Sequence, residues 1–361
     1  MTMAGSPGAG RERERAALAE ALAVSRSALG VSTPNPPVGA VVLDAAGAIV
    51  GRGATEAAGG RHAEVVALDE AGTRARGGTL VVTLEPCSHH GRTGPCTTRA
   101  IEDGIARVVY AVPDPTPDAA GGAETLRRAG VEAVLVDDDE TAAARSGPLK
   151  AWLHRQSRGR PFVTWKYAAS LDGRVAATDG SSMWITGPEA RRHAHARRQE
   201  MDVVIVGSGT LRTDDPALTA RLDDGTSAPR QPLRAVMGLT DVPRDARVRG
   251  TDGRFRHLAT RDPGAALDML GDVQHVLIEG GPHLAGAFLA AGLVDEVDAY
   301  LAPLVLGDGL SAVAGAGVTT LLEAHRFTVL ESRTLGVDVH LRMTTDRHTA
   351  ASPAAQTEGP R

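Results

Sequence analysis

The chain of 361 residues is longer than one hydrophobic core ordinarily supports, so two domains are expected. Its formal charge of −5 gives no general attraction to polyphosphate, which argues against nonspecific nucleic-acid binding and favours a small-molecule ligand. No run of 18 apolar residues occurs and the opening MTMAGSPGAGRERER lacks an apolar h-region, so no membrane partner and a cytoplasmic location with reduced cysteines are expected.

Aromatic residues make up only 3% of the chain while Ala, Val, Leu and Gly are plentiful, which points to α/β layers packed through small side chains. Residues 1–10 and 344–361 lack periodicity and read as tails. Between them, Glu12 to Ser27 reads as a helix that Pro34-Asn35-Pro36-Pro37 ends. Val38 to Leu43 and Ala48 to Gly53 read as a hairpin around Asp44-Ala45-Ala46-Gly47. His62 to Ala71 has helical spacing and stops at Gly72. Thr79 to Leu84 reads as a strand and Thr97 to Gly104 as a helix opened by Cys96, whose thiolate the dipole would favour. Strands Arg107 to Val112 and Val131 to Val136 flank a helix, Ala123 to Ala129. This alternation predicts a mostly parallel sheet covered by helices on both faces.

After the acidic run Asp137-Asp138-Asp139-Glu140, read as a solvated helix start, a helix to about His154 leads to a boundary at Gln156 to Pro161. Phe162 to Ala168, Val203 to Val206, Arg234 to Met237, His275 to Ile278 and Asp298 to Leu301 then read as strands of a second sheet. Thr186-Gly187-Pro188-Glu189 reads as a capping box launching a helix to about Glu200. The domains expected are thus 11–155 and 162–343, joined by 156–161.

The chemistry in the first domain lies in His62-Ala63-Glu64, Glu85-Pro86-Cys87 and Cys96. Three protein ligands leave the fourth position of a tetrahedral zinc to water, whose pKa falls to roughly 7 on the metal. His62, Cys87 and Cys96 supply that set. Glu64, two residues past a ligand but not itself one, suits proton transfer. The signature of zinc deaminases is H-x-E followed by P-C-x-x-C, whereas here the second cysteine is nine positions after the first, so SHHGRTGP must loop out. The alternatives are a disulfide between the two cysteines, burial as small core residues, or a closed structural site in which His89 or His90 is a further ligand.

In the second domain, Val206-Gly207-Ser208-Gly209-Thr210 and Glu279-Gly280-Gly281-Pro282 each follow a strand and put glycines where a backbone can approach phosphate. The first lacks the third glycine of a dinucleotide fingerprint, Arg212 standing there, so a Rossmann reading fails and ordinary tight turns remain an equal alternative. Arg191 and Arg198 share a helix face and, with Arg221, offer a phosphate grip. The rival reading makes Arg191, Arg192, Arg197 and Arg198 a solvated basic face.

TPNPPVGAVV, HAEVVAL, TLEPCSHHGRTGPC, KYAASLDGR, WITGPEAR, DVVIVGSGT, DDPALTAR and EGGPHLAGAFL, in that order from about Ala16 to Leu341, closely resemble the bifunctional riboflavin-biosynthesis deaminase/reductase family. The resemblance implies an N-terminal cytidine-deaminase-like three-layer domain and a C-terminal dihydrofolate-reductase-like domain that uses NADPH. It implies deamination of 2,5-diamino-6-(5-phosphoribosylamino)pyrimidin-4(3H)-one, then reduction of the ribosyl chain to ribityl, in a homo-oligomer (dimer or tetramer). Carried over by motif, zinc falls on His62, Cys87 and Cys96, with Glu64 as the proton shuttle. The nicotinamide cofactor falls on Ala168, Trp184, Thr210, Asp214 and the run Gly281, Pro282, His283, Leu284, Ala285, Gly286 and Ala287. Substrate falls on Ser182, Arg198, Leu218, Arg221 and Glu279, with Asn35 a base-edge contact in the deaminase pocket. The chain departs from the family at Thr116, where an Asn is usual, and at Gly238-Leu239, where Asp-Ser is usual near the cofactor. It departs also at Arg145 and Pro148, usually Asn and Phe, and at His283, usually Thr. A nucleic-acid or nucleoside deaminase with an accessory domain, and a non-catalytic zinc-stabilised binding protein, are the competing functions.

Overall fold

The computed structural model describes residues 7–88, 94–136 and 139–345. The chain divides into two compact units, one built on the sequence up to Pro161, joined by Asp272–Gln274, and the other on the remainder from Phe162.

The first unit runs α1 (Pro7–Ser25), β1 (Gly39–Leu43), β2 (Ile49–Ala54), α2 (Ala63–Ala71), β3 (Thr79–Val82), α3 (Cys96–Glu102), β4 (Arg107–Tyr110), α4 (Gly122–Arg128), β5 (Glu132–Leu135), α5 (Asp139–Ser146) and α6 (Lys150–Arg158). Its sheet has the order β2-β1-β3-β4-β5. Both pairings of β1 are antiparallel and only β3-β4-β5 is parallel, so the sheet is mixed rather than mostly parallel. The hairpin is the cause: Asp44 Oδ1 accepts from the Ala46 and Ala48 amides and folds β2 back on β1.

Glycines set the distance between the layers. A Cβ on Gly51 or Gly53 would lie 2.1 Å from the Ala67 or Ala63 carbonyl of α2, and one on Gly39 would lie 2.0 Å from the Ala21 carbonyl of α1. Gly53 pairs with Ala40 and Gly39 with Ala54, so these glycines point to opposite faces of the sheet. The two helices therefore cover opposite faces, completing the three-layer arrangement. Leu18, Leu68, Leu80, Leu126 and Leu149 are fully buried in this aliphatic core, each worth about 1.5–3 kcal/mol of transfer free energy. Where one helix to about His154 is expected, α5 and α6 are separate and Gly147-Pro148 falls between them. Helix α6 continues through Arg158, inside the stretch expected to link the domains.

The second unit runs β6 (Phe162–Ser170), β7 (Arg174–Ala176), α7 (Pro188–Gln199), β8 (Val203–Gly207), α8 (Ser208–Asp214), β9 (Leu233–Met237), β10 (Phe255–Leu258), α9 (Pro263–Asp268), β11 (His275–Ile278), α10 (Pro282–Ala290), β12 (Glu296–Ala302), β13 (Leu310–Ser311), β14 (Phe327–Leu335) and β15 (Asp338–Thr345). Eight strands form one sheet in the order β10-β9-β8-β11-β6-β12-β15-β14, and β13 pairs β7 separately. From β10 to β12 all pairings are parallel, whereas β15 joins β12, and β14 joins β15, antiparallel.

Helix α7 begins as expected but without the expected box. Gly187 is its N-cap, no side chain caps it, and the Gly187 amide donates instead to Asp338 Oδ2 at 2.7 Å. Pro188 at the first helical position needs no amide partner, which is why the helix still starts there.

Candidate active sites

In the first unit, three elements bring the expected zinc ligands together. His62 is the N-cap of α2, Cys87 follows the strand-end run Thr83 to Pro86, and Cys96 is the first residue of α3. The His62 Nδ1 lies 3.6 Å from Cys87 Sγ and 3.3 Å from Cys96 Sγ, and the three ligand atoms all fall within 4.8 Å of one another. Those separations are the edges of a tetrahedron whose centre is about 2.0–2.3 Å from each donor, the ordinary zinc–nitrogen and zinc–sulfur distances. Both cysteines are free and buried, which removes the disulfide alternative. His89 and His90 lie outside the described residues.

Local bonds hold the cysteines in place. The Cys96 amide donates to Cys87 Sγ at 3.5 Å, and the Thr97 amide and hydroxyl both donate to the Cys87 carbonyl at 3.3 Å. The two thiols face each other across a hydrogen bond and titrate as a pair. The hydrogen bond from Cys96, reinforced by His62, holds Cys87 well below the ordinary thiol range, while that same bond and burial push Cys96 up. A second thiolate then forms only against a cation's charge.

Glu64 is on the first turn of α2 and 4% exposed. Burial first, then the Cys87 charge, raises its pKa to about 7, a value a bound cation would lower again. A buried carboxyl beside the ligands but outside the ligand set fits proton transfer.

Glu85 is a residue the motif reading left without a role. Its carboxylate accepts from the Asp114 amide at 3.2 Å and the Ala123 amide at 2.9 Å, tying the loop after β4 to the strand end that carries Cys87. An acid just before Pro-Cys was the signal available. On that loop Thr116 donates through its amide and hydroxyl to Asp114 Oδ1, at 2.8 and 2.6 Å, so its hydroxyl turns inward to its own loop. Asn35 stands outside the ligand cluster, in a turn closed by its amide on the Ser32 carbonyl at 2.8 Å. One zinc per chain is expected by elemental analysis after dialysis, and Cys87→Ser or Cys96→Ser should each abolish it. Retention of zinc by either variant would contradict the ligand assignment.

In the second unit the two glycine loops leave the C-terminal ends of adjacent parallel strands, β8 and β11, the usual crevice for a ligand in an open α/β sheet. The Glu279 amide donates to the Ile205 carbonyl at 2.9 Å and the Gly281 amide to Thr210 Oγ1 at 3.0 Å, so the loops form one rim. A Cβ at Gly209 would meet nothing within 4 Å, and Gly281 is the N-cap of α10, whose dipole favours an anion. A helix N-terminus and an uncovered glycine on one rim suit the phosphates of a nucleotide cofactor. Of the run carried over to the cofactor, Pro282, His283, Leu284, Ala285, Gly286 and Ala287 form the first turns of α10. Asp214 ends α8, and Ala168 is on β6.

Trp184 is 67% exposed and the Arg191 guanidinium lies 4.4 Å from its ring centroid. Ser182 accepts through its carbonyl from the Ile185 amide at 3.3 Å. Gly238 has φ 149, rarely adopted by other residues, and a Cβ there would sit 3.0 Å from Ser208 Oγ, while Leu239 is exposed. The strand end thus takes a course that a side chain at 238 would oppose.

Arg198 donates through Nε and Nη2 to both oxygens of Glu279, at 2.7 and 2.8 Å, and through Nη1 to the Thr219 carbonyl at 2.9 Å. Three of its five N–H donors are taken and two remain. Buried Leu218, with φ 51, turns the chain that presents Thr219, and Arg221 is exposed beside it. Lys166, which the sequence reading left unassigned although it interrupts an apolar strand, lies with Nζ 3.8 Å from Glu279 Oε2, and burial lowers its pKa.

The basic run on α7 is not a solvated face. Arg197 pairs with Glu200, Glu296 and Asp298, and Arg198 with Glu279, leaving each side chain 16% exposed, although Arg192 is half exposed.

A metal triad with a buried acid beside it, and a reductase-type nucleotide crevice in the same chain, define a bifunctional deaminase and reductase. The family described as cytidine and deoxycytidylate deaminase zinc-binding region matches residues 11–112, and the RibD C-terminal domain matches residues 161–341. A riboflavin biosynthesis protein RibD of Mycobacterium tuberculosis is 50% identical over 87% of this chain and 92% of its own. A RibD structure from Acinetobacter baumannii has TM-score 0.82 at 33% identity, covering 92% of this chain and 99% of that one. A diaminohydroxyphosphoribosylaminopyrimidine deaminase/5-amino-6-(5-phosphoribosylamino)uracil reductase from Thermotoga maritima has TM-score 0.83 at 30% identity, with the same coverages. The chain belongs to the RibD family: it is a bifunctional deaminase/reductase of riboflavin biosynthesis, with a zinc-binding deaminase domain and a reductase domain that takes a nicotinamide cofactor. Among the described residues no helix is long and apolar enough to cross a membrane.

Proposed function

We propose that the first unit deaminates 2,5-diamino-6-(5-phosphoribosylamino)pyrimidin-4(3H)-one and that the second reduces the product with NADPH to 5-amino-6-(5-phosphoribitylamino)uracil. The observation that carries this reading is the convergence of His62, Cys87 and Cys96 beside buried Glu64, in one chain with the linked glycine loops. The deaminase is assigned to 11–155 and the reductase to 162–343, with 156–161 between them.

When bound to His62, Cys87 and Cys96, zinc supplies the positive charge that makes a water acidic near neutral pH. Glu64 takes one proton of the attacking water and passes it to the ring nitrogen, then relays the proton of the added hydroxyl to the exocyclic amine. The carbon–nitrogen bond breaks as the carbonyl forms and the amine leaves as ammonia, without a covalent enzyme intermediate. Asn35 holds the base edge, and Glu85 keeps the Asp114–Thr116 loop in place.

In the reductase, Thr210, Asp214 and the start of α10 hold the cofactor phosphates and ribose, with Ala168 and Trp184 toward the nicotinamide. Ser182, Leu218 and the free donors of Arg198 and Arg221 position the phosphoribosyl chain. Close approach is what hydride transfer most requires. Lys166 and Glu279 form the floor of that site, and Lys166 is the group there able to hold or give a proton. Choice of NADPH over NADH rests on the family likeness and is tested by comparing KM for the two.

A homo-oligomer is supported by the edge strand β14, whose Val329 and Leu330 are exposed together with Val337 and Val339 of the same hairpin; light scattering reads the assembly. A cytoplasmic location is supported by the two free thiols.

Pure protein given the diaminopyrimidine phosphate alone should release ammonia, and should form the ribityl product only when NADPH is added. No ammonia would overturn the reading. Arg221→Ala should impair reduction of the deaminated intermediate while ammonia release persists; equal loss of both activities would contradict the assignment of Arg221 to the reductase.

A further inference from the structure

Helices α2 and α3 meet along two short rows of side chains. On α2, His62, Val65 and Asp69 follow one another at three and four residues, and on α3 Cys96, Arg99 and Asp103 do the same. One end of this meeting is the metal site, where His62 Nδ1 lies 3.3 Å from Cys96 Sγ, and Val65 packs against both cysteines. At the other end Asp69 Oδ1 pairs with Arg99 Nη2 at 2.8 Å, and Arg99 Nε donates to Asp103 Oδ2 at 2.7 Å. The second oxygen of Asp69 accepts from Arg61 Nη1 at 2.9 Å. Arg61 immediately precedes His62, and Glu56 closes a turn on it, accepting from the Arg61 amide at 2.8 Å and from Nη2 at 2.6 Å. One carboxylate thus reaches both the turn that delivers His62 and the helix that delivers Cys96.

We infer that Asp69 is a positioning residue for the zinc site, holding His62 and Cys96 at their ligating separation through Arg61 and Arg99. This rests on the ligand assignment above and adds a residue outside both metal motifs. Ordering that the protein does not supply in advance is subtracted from the binding of the metal, so a tie between the two ligand-bearing elements is read out as zinc affinity. A single exposed ion pair is worth little. Asp69 makes two, and each arginine is held by a further carboxylate, Glu56 on one side and Asp103 on the other. The Arg99 bond, joined by Arg61, also keeps the Asp69 carboxyl below its ordinary range and therefore charged at neutral pH.

The test measures zinc affinity of the full-length protein by competition with a chromophoric chelator, with no turnover required. Asp69→Ala should weaken zinc binding about ten-fold, the lower end for groups that orient metal ligands. Arg99→Ala should weaken it about three-fold, because the bond to Arg61 remains, and should add little in a chain already lacking Asp69. High salt should narrow the gap between the parent and Asp69→Ala. Glu20→Ala is the control: it removes a 2.7 Å pair with Arg52 that is similarly exposed but ties α1 to β2, and it should leave zinc affinity unchanged. Zinc affinity within two-fold of the parent in Asp69→Ala, an equal loss in Glu20→Ala, or independent losses from Asp69 and Arg99 would each overturn the inference while leaving the ligands assigned. A parent protein that binds no zinc would overturn both.

Discussion

Glu64→Gln is expected to keep its zinc and its fold yet lose deamination by about 10²–10⁴-fold, the usual cost of removing a general acid/base. The amide has the shape of the carboxylate and fills the same buried position, but it cannot accept and return a proton. Reduction should be unaffected when the deaminated intermediate is supplied, because Glu64 belongs to the other unit. Ammonia release, zinc content and reduction measured on one preparation check this. Turnover within a few-fold of the unaltered enzyme would remove Glu64 from the chemistry and leave the triad as a structural metal site.

Arg198→Met should destabilise the reductase unit by about 3–5 kcal/mol, the usual penalty for stranding one member of a buried pair. The pair is well enclosed, with side chains 16% and 7% exposed and two direct bonds. Adding Glu279→Met should restore much of that stability without restoring reduction, since the stranded charge rather than the lost attraction dominates the cost. Burial alone would raise Glu279, but Arg198 and Lys166 hold its pKa down to about 2 from an ordinary 4.5. A folded value below the unfolded one means that its contribution is complete above 4.5 and is lost as pH falls toward 2. Denaturant unfolding of the reductase unit between those values should show that slope, and Arg198→Met should flatten it. A single variant as stable as the parent would show that the two side chains are not paired.

The metal site was legible because its determinants are local. His62 and Glu64 are fixed by the start of one helix, Cys87 by the end of an apolar strand and Cys96 by the start of the next helix, and each boundary carries its own signal in Gly, Pro or an apolar run. The parallel strands β3, β4, β5, β6, β8, β9, β11 and β12 were equally visible as short apolar runs, but parallel β10 was not, because FRHL sets Arg and His between its two apolar residues. Strands β14 and β15 were not, because FTVLESRTL and DVHLRMTT mix charged and apolar residues. Their register places Glu331 and Arg333 opposite Arg342 and His340, so polar side chains sit where a buried strand would show Val or Ile. The burial of Arg197 and Arg198 was invisible for a related reason. Their carboxylate partners on β12 and after β11 are far along the chain, and a basic run alone has the composition of a solvated face.

Deamination as proposed requires an open zinc site, with three protein ligands and room for a water beside Glu64. X-ray absorption at the zinc edge of the purified protein tests it directly. One nitrogen and two sulfurs at about 2.0–2.3 Å, with one further oxygen that is lost in neither Glu64→Gln nor His90→Ala, is the predicted shell. A second imidazole in place of that oxygen, or cysteines joined to each other and absent from the metal, would contradict it.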